Sequence, residues 1–135
     1  WGEAGFDKLD AVLAHAMLSL GAVKGIEFGD GFAAAESLAS KNNDSPTADG
    51  WASNHAGGVL GGMSNGAKIV FRIAVKPTPS IAQKQQTMDR SGNAVECEIH
   101  GRHDPCLCPR MVPVVKAMTA IVLADMMLRN KSARI

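Results

Sequence analysis

The stretch KIVFRIAVKPTPSIAQKQQTMDRSGNAVECEIH, residues 68–100, decides the fold class. Apolar residues take alternate positions at its start and again at its end: Ile69, Phe71, Ile73 and Val75, then Val95, Cys97 and Ile99. A period of two residues is the period of a β-strand with one buried face. About twenty residues separate the two predicted strands, too few for the crossover helix that a parallel pair requires. The stretch therefore predicts antiparallel strands, the second with one face buried.

Helical periodicity flanks this stretch on both sides. Near the N-terminus, apolar residues at helical spacing predict an amphipathic helix over residues 6–20: Phe6, Leu9, Leu13, Met17 and Leu20. A longer apolar helix is predicted to begin at Pro113, since proline suits the first helical position, and to end in cations that complement the helix dipole: Arg129, Lys131 and Arg134.

The remaining segments complete an α+β pattern. Residues 22–28 predict a strand, residues 33–40 a short helix and residues 41–50 a polar loop. We therefore expect an α+β fold, a layered sandwich in which helices pack against antiparallel sheet. With 135 residues, the chain is expected to form one domain.

Composition narrows the function classes. Hydrophobic residues make up 46% and charged residues 20%, as in an ordinary globular chain. An aromatic content of 4%, without tyrosine, and a net charge of +1 argue against a nucleic-acid partner. The most apolar run, residues 118–128, is interrupted by Asp125, so no membrane segment is expected. Three cysteines are too few for a disulfide scaffold, which favours a reducing compartment, the cytoplasm.

The two halves of the chain differ in charge. Residues 1–65 hold 3 basic and 8 acidic side chains, a balance of −5, whereas residues 66–135 hold 11 basic and 5 acidic, a balance of +6. An anionic ligand would be better placed in the second half, although pairing of the two halves or of two subunits explains the asymmetry equally well.

Three loops carry candidate chemistry. Residues 50–66 hold six glycines in seventeen positions, with the polar trio Ser53, Asn54 and His55 just before Gly57 and Gly58. This segment either binds an anion through backbone N–H groups or forms a structural turn. The segment KPTPSI, residues 76–81, is stiffened by two prolines and offers a cation and two hydroxyls. It suits a phosphate or polar heterocycle, or simply ends an edge strand.

The densest polar cluster is HGRHDPCLCPR, residues 100–110. It admits three interpretations: a metal site made of His103, Cys106 and Cys108, a nucleophilic cysteine beside His103, or a loop in which Arg102 binds a ligand anion and Asp104 is a proton acceptor or an orienting carboxylate. The metal site lacks a second pair of ligands, so no metal is expected. The nucleophilic cysteine lacks a third group that would orient His103.

Four other features receive structural interpretations. Cys97 is expected to be a buried structural thiol, His15 a solvent-facing or satisfied histidine, and Asp125 a residue buried at a subunit interface. The methionines at 17, 118, 126 and 127 are expected to fill the core.

The order of the motifs resembles one family. The segments GAVKGIEFGDGF (21–32), SNHAGGVLGGMSNG (53–66), VKPTPSI (75–81), GRHDPC (101–106) and VPVVKAMTAIVLADMMLR (112–129) together resemble the C-terminal part of chorismate synthase. The resemblance covers roughly residues 6–129. It implies that the chain is a C-terminal portion of a protein more than twice as long.

The resemblance implies an activity and a cofactor. Chorismate synthases convert 5-enolpyruvylshikimate 3-phosphate to chorismate by anti-1,4-elimination of phosphate and a proton, and they require reduced FMN. Their fold places helices between antiparallel sheets, and they assemble as homotetramers. The partner implied is therefore a small phosphorylated substrate.

The family's site positions carry over residue by residue. Those for FMN fall on Gly21, Ala22, Gly61, Lys76, Pro77, Thr78, Pro79, Ser80 and Arg102. The carboxylate that assists proton transfer at the flavin falls on Asp104. Gly21 stands where other members often have Asn or Ser, and Cys108 falls at a variable position. The family's two catalytic histidines and its arginine cluster have no counterpart in the chain, so a non-catalytic, oligomerising module with part of a flavin site is the alternative.

Overall fold

Two helices and one pair of strands form the packed body of the molecule. The structure is a computed structural model that describes residues 1–133. Arg134, which was predicted to complement the dipole of the C-terminal helix, lies outside the described residues. Helix α1 spans Leu9–Leu18 and helix α3 spans Cys108–Ser132, and they pack against each other. Their contact forms the core together with Val59 from a neighbouring loop: Leu9, Leu13, Met17, Val59, Val122 and Met126.

Strands β1 (Val23–Phe28) and β6 (Phe71–Val75) form an antiparallel pair beside the helices. The register pairs Ile26 with Ile73 and Phe28 with Phe71, and these four side chains face the core. On the other face, the Arg72 guanidinium lies 2.9 Å from the Glu27 carboxylate. This alternation confirms the strand that residues 68–75 predicted, although its partner is β1 rather than the strand near residue 97.

The chain between β1 and β6 runs through short elements. These are a 3₁₀ helix at Gly31–Glu36, the single-turn helix α2 at Ala39–Asn42, a small hairpin of β2 (Pro46–Thr47) and β3 (Gly50–Trp51), and a second of β4 (Val59–Leu60) and β5 (Met63–Ser64). The short helix predicted over residues 33–40 is thus two shorter pieces, because Ser37 and Leu38 are extended.

A hairpin of β7 (Gln85–Met88) and β8 (Ala94–Cys97) follows β6. Every residue of both strands is exposed. The prediction that Cys97 is buried is therefore wrong, because none of the described residues covers either face of the hairpin.

Three details of the helices also differ from the sequence predictions. Helix α1 begins at Leu9 rather than residue 6, because Phe6 has a φ of 46° and is fully exposed. Helix α3 begins at Cys108, so Pro113 lies inside it rather than at its start. Asp125 is exposed rather than buried, and it pairs with Arg129 one turn later at 2.8 Å.

Helix α3 has two apolar faces. One packs on α1, and the other is exposed along residues spaced by three and four positions: Val114, Ala117, Ile121, Ala124 and Leu128. This explains why the described residues include one helix, Cys108–Ser132, that is long and apolar enough to cross a membrane by length and composition alone. Such a helix is weak evidence for a membrane span, since core helices pass the same test.

Candidate functional site

The Asp44 carboxylate organises the start of the glycine segment. It accepts hydrogen bonds from the Ser53 hydroxyl at 2.6 Å and from the backbone N–H groups of His55 at 2.8 Å and Ala56 at 3.0 Å. Although partial burial opposes ionisation, the hydrogen bonds from Ser53, Ala56 and His55 and the nearby imidazole lower the pKa of Asp44 below its ordinary value. Ser53 and the backbone of His55 therefore hold the loop in shape.

The other members of the polar trio also bind protein groups. The His55 Nδ1 atom lies 2.6 Å from Asp30 Oδ2, and the Asn54 amide donates to the Lys68 carbonyl at 2.9 Å. Gly57 and Gly58 both have positive φ, and a Cβ at either position would collide with neighbouring backbone. The first part of the glycine segment is thus a structural turn that joins the ends of β1 and β6.

Gly61 lies in the turn between β4 and β5, at the beginning of α1. The Gly62 carbonyl accepts a hydrogen bond from the first residue of the helix, Leu9, at 2.8 Å. Gly61 has a φ of 59°, and a Cβ there would meet open space. Glycine therefore suits this position because of the backbone conformation of the turn and not because of close packing.

Gly21 and Ala22 lie at the opposite end of α1, where the chain turns into β1. Ala22 adopts a φ of 71°, a left-handed conformation that costs a non-glycine residue about 1–2 kcal/mol. Its carbonyl accepts a hydrogen bond from the Lys76 N–H at 2.8 Å. Backbone strain of this kind concentrates at binding sites, and here it falls on a predicted flavin contact.

Two predicted site loops meet next to this turn. The Thr78 hydroxyl donates to the Asp104 carbonyl at 3.3 Å, which joins the 76–80 loop to the 101–104 loop. The Asp104 carboxylate has one oxygen 3.6 Å from the Arg102 guanidinium and the other 3.3 Å from that of Arg110.

A groove of about 340 Å³ opens beside Arg110. Its lining is mostly apolar and includes the Gly21–Ala22 turn: Leu20, Gly21, Ala22, Leu107, Arg110, Met111 and Val114. An apolar wall of this kind suits the flat apolar part of a ligand, while the Arg110 guanidinium lies 3.3 Å from Asp104.

The cysteine interpretations find little support in this geometry. All three cysteines are free and exposed, and among residues 1–133 no group of three metal-binding side chains is placed to hold an ion. A hydrogen bond and repulsion from Cys106, with some desolvation, raise the pKa of the Cys108 thiol, which disfavours the reactive thiolate. The His103 ring is engaged by the Ile99 carbonyl at 3.0 Å.

Comparisons with known proteins assign the family. A sequence profile described as chorismate synthase matches residues 1–128. The chain belongs to the chorismate synthase family. It is 60% identical to a chorismate synthase of Nitratidesulfovibrio vulgaris over 130 residues, and 53% identical to one of Chloroflexus aurantiacus over 139 aligned positions.

The alignments also define how much of the family's chain is present. The aligned part is 96% of this chain but only 37% of the Nitratidesulfovibrio vulgaris relative, so the chain spans little more than a third of the curated relatives it matches. A solved structure described as a crystal structure of chorismate synthase superposes with a TM-score of 0.73 at 32% identity, covering 96% of this chain and 33% of that one. The likeness bears out the α+β sandwich.

The structure divides the predicted site residues into two groups. Gly21, Ala22, the 76–80 loop, Arg102 and Asp104 belong to segments joined at one end of α1, whereas Gly61 lies at the other end. The ten residues of α1 span about 15 Å, so these two groups are well separated within one chain. Arg110 joins the first group although the sequence analysis gave it no role; its place two residues beyond the cysteine pair was the available signal.

Proposed function

We propose that the chain is the C-terminal part of a chorismate synthase and supplies part of its reduced-FMN site. The enzyme would eliminate phosphate and a proton from 5-enolpyruvylshikimate 3-phosphate to give chorismate, the last shared step toward the aromatic amino acids. The observation that carries this proposal is family membership across residues 1–128, combined with the joining of three motif segments by hydrogen bonds, one of which, the Gly21–Ala22 turn, lines the groove.

The residues at this end of α1 fit a flavin in chemistry and partly in size. The groove of about 340 Å³ lies at the lower end of the range for small-molecule pockets, so it accommodates part of such a ligand. Its apolar wall suits the ring system, and Arg102, with its side chain 82% exposed, is available to a polar group of the ligand. Lys76 and Ser80 would add a cation and a hydroxyl from the stiff loop.

The side chains divide the reaction between binding and proton transfer. Reduced flavin, when bound, would supply transient electron donation that assists the loss of phosphate, in a reaction with no net redox change. In this proposal Arg102 binds and orients the cofactor, while the carboxylate oxygens of Asp104 accept or relay the ring proton. Pro77 and Pro79 keep the loop rigid, which preserves the geometry between its neighbours.

The large exposed surface supports the proposal that this chain works inside a larger assembly. A folded protein of 14.1 kDa exposes about 6,700 Å² by the usual scaling with mass, and this chain exposes 9,655 Å². The excess includes the outer face of α3 and both faces of the β7–β8 hairpin. We therefore propose that activity requires the whole synthase, as a cytoplasmic homotetramer, and that the 135-residue chain alone is inactive.

The proposed activity is tested in the full-length enzyme, meaning this chain together with the N-terminal part that its relatives have. We expect chorismate formation under anaerobic conditions with dithionite-reduced FMN and none without flavin. Oxidised FMN without a reductant is the matched control. Equal turnover in the absence of flavin would refute the proposed cofactor, and no turnover in any arm would refute the activity.

The same assay distinguishes the alternative, a non-catalytic module. The purified 135-residue chain, with full-length contamination excluded by mass spectrometry, should give no detectable chorismate, because correct placement of reacting groups contributes several kcal/mol to catalysis. Measurable turnover by this chain alone would show that our requirement for the whole enzyme is wrong.

A further inference from the structure

Asp104 is held between two arginines that differ in their surroundings. Its side chain is only 28% exposed, whereas those of Arg110 and Arg102 are 66% and 82% exposed. Arg110 is the nearer, at 3.3 Å against 3.6 Å. The two guanidinium groups approach different oxygens of the same carboxylate.

We propose that Arg110 is a positioning residue that fixes the Asp104 carboxylate and thereby leaves Arg102 for the cofactor. This inference rests on the proposed function, and it assigns a role to a residue outside the positions that the family resemblance marks. One carboxylate neutralises only one of the two cations. The nearer and less exposed arginine, Arg110, is the one that holds it.

The anchoring of Arg110 supports this division. Arg110 lies in the first turn of α3, where its N–H bonds the Leu107 carbonyl at 3.1 Å, and the same helix packs its central part into the core. Arg102 lies in a loop without regular structure, at the exposed end of the GRHDPC motif. A guanidinium carried by a packed helix is a more fixed reference point than one carried by a loop.

Asp104 is thereby restrained from two directions. The Thr78 hydroxyl bonds its backbone carbonyl, and Arg110 approaches its carboxylate. An exposed ion pair contributes at most about 1 kcal/mol to folding, so the contribution of Arg110 is to geometry rather than to stability. A misplacement of about 1 Å in a reacting group lowers rates by about 100-fold.

FMN affinity, measured by flavin fluorescence on the full-length enzyme, separates the two arginines. Arg102→Ala should weaken binding by about 10- to 150-fold, the value of one charged hydrogen bond. Arg110→Ala should change it less than about 3-fold, since the proposal pairs its guanidinium with Asp104 rather than with the cofactor. Arg90→Ala, in the exposed turn of the β7–β8 hairpin, is the matched control. Equal weakening by both site substitutions would overturn the division.

Turnover tests the coupling to Asp104. Arg110→Ala should lower kcat by about 10- to 100-fold while the melting temperature changes by only a few degrees. Arg110→Lys keeps the positive charge but not the planar guanidinium with its several N–H donors, so it should recover part of the lost kcat. In an Asp104→Asn background the same substitution should have little further effect, because the group it positions is already gone. Independent, multiplicative effects on kcat would overturn the proposal.

A third measurement does not depend on the activity. A crystal structure of the full-length enzyme should show Arg110 within 4 Å of the Asp104 carboxylate. A structure in which Arg110 points elsewhere overturns the proposal even if chorismate is formed. Conversely, an enzyme with this pair in place but without reduced-FMN turnover would refute the proposed function and leave the pairing intact.

Discussion

The helix-packed body and the β7–β8 hairpin have equally regular sequence patterns and opposite environments. In α1, the residues at helical spacing become fully buried: Leu9, Leu13 and Met17 have no exposed surface. In β8, Val95 alternates with charged residues just as regularly, yet it is 37% exposed. The difference is that α1 meets α3 and the β1–β6 pair, whereas among the described residues the hairpin strands contact chiefly each other. Periodicity therefore predicts the element and its apolar face, but burial depends on what covers that face.

Truncating one apolar side chain in each region gives the largest expected contrast. Leu13→Ala should lower the free energy of unfolding by about 2–5 kcal/mol, because it leaves a cavity in the core. Val95→Ala in the isolated chain should cost less than about 1 kcal/mol, since the side chain already contacts water. Unfolding by guanidinium chloride measures the change in the free energy of unfolding for both variants. Equal losses would mean that the hairpin is covered, for example by a second copy, and would break the comparison.

Two aspartates provide a matched pair of loop anchors. The pKa of Asp44 is lowered by the hydrogen bonds described above, and that of Asp89 by hydrogen bonds chiefly from Asn93. Asp44→Asn should destabilise the chain at pH 7 by about 1–3 kcal/mol, because it weakens three hydrogen bonds to a charged acceptor. Asp89→Asn, in the hairpin turn, should lower the melting temperature less, because this carboxylate and its partners are exposed to solvent.

The pH dependence of this effect has a definite sign. A carboxyl group whose pKa is lower in the folded state contributes stability above its ordinary pKa, here 3.8, and loses it as the pH falls through the lowered value. Thermal melts should therefore show the wild-type advantage over Asp44→Asn in full above about pH 5 and shrinking below about pH 4. An advantage that stays constant down to pH 2 would contradict the role of the ionised group.

The smallest expected effect concerns the strained turn beside the site. Ala22→Gly should raise stability by up to about 1 kcal/mol, because glycine adopts a φ of 71° without steric cost. Ala14→Gly within α1 is the control and should lower stability by about 1 kcal/mol. Melting temperatures measured by calorimetry distinguish the expected gain of stability in Ala22→Gly from the expected loss in Ala14→Gly. A loss of stability in Ala22→Gly would indicate that the methyl group packs usefully and that the turn stores no strain.

Much of the fold could be predicted because local patterns match it. Residues 22–28 and 68–75 became strands, and the helical periodicities became α1 and α3. The errors fall where local and tertiary preferences disagree. Pro113 is a good first residue for a helix, yet α3 begins five residues earlier, and Phe6 continues the apolar spacing of α1 but has a backbone that cannot continue the helix.

The candidate site was predictable in its parts rather than in its assembly. The loops at 76–80 and 101–104 stood out by their prolines, cations and hydroxyls, and the structure joins them through Thr78 and the Asp104 carbonyl. The polar trio at 53–55 looked equally promising, but Asp44, Asp30 and Lys68 occupy it as structural partners. These partners lie 9–25 residues from the trio along the chain, a separation that no local pattern encodes.

The sequence by itself determined the elements, the charge asymmetry and the family motifs, because residue type and spacing set backbone preference and side-chain chemistry directly. Only the tertiary structure decided which motif segments meet. It brought Ala22 to Lys76 and Thr78 to Asp104, and it left Gly61 at the far end of α1. The physical reason is that proximity between distant residues follows from the packing of whole helices and strands, to which every core contact contributes at once.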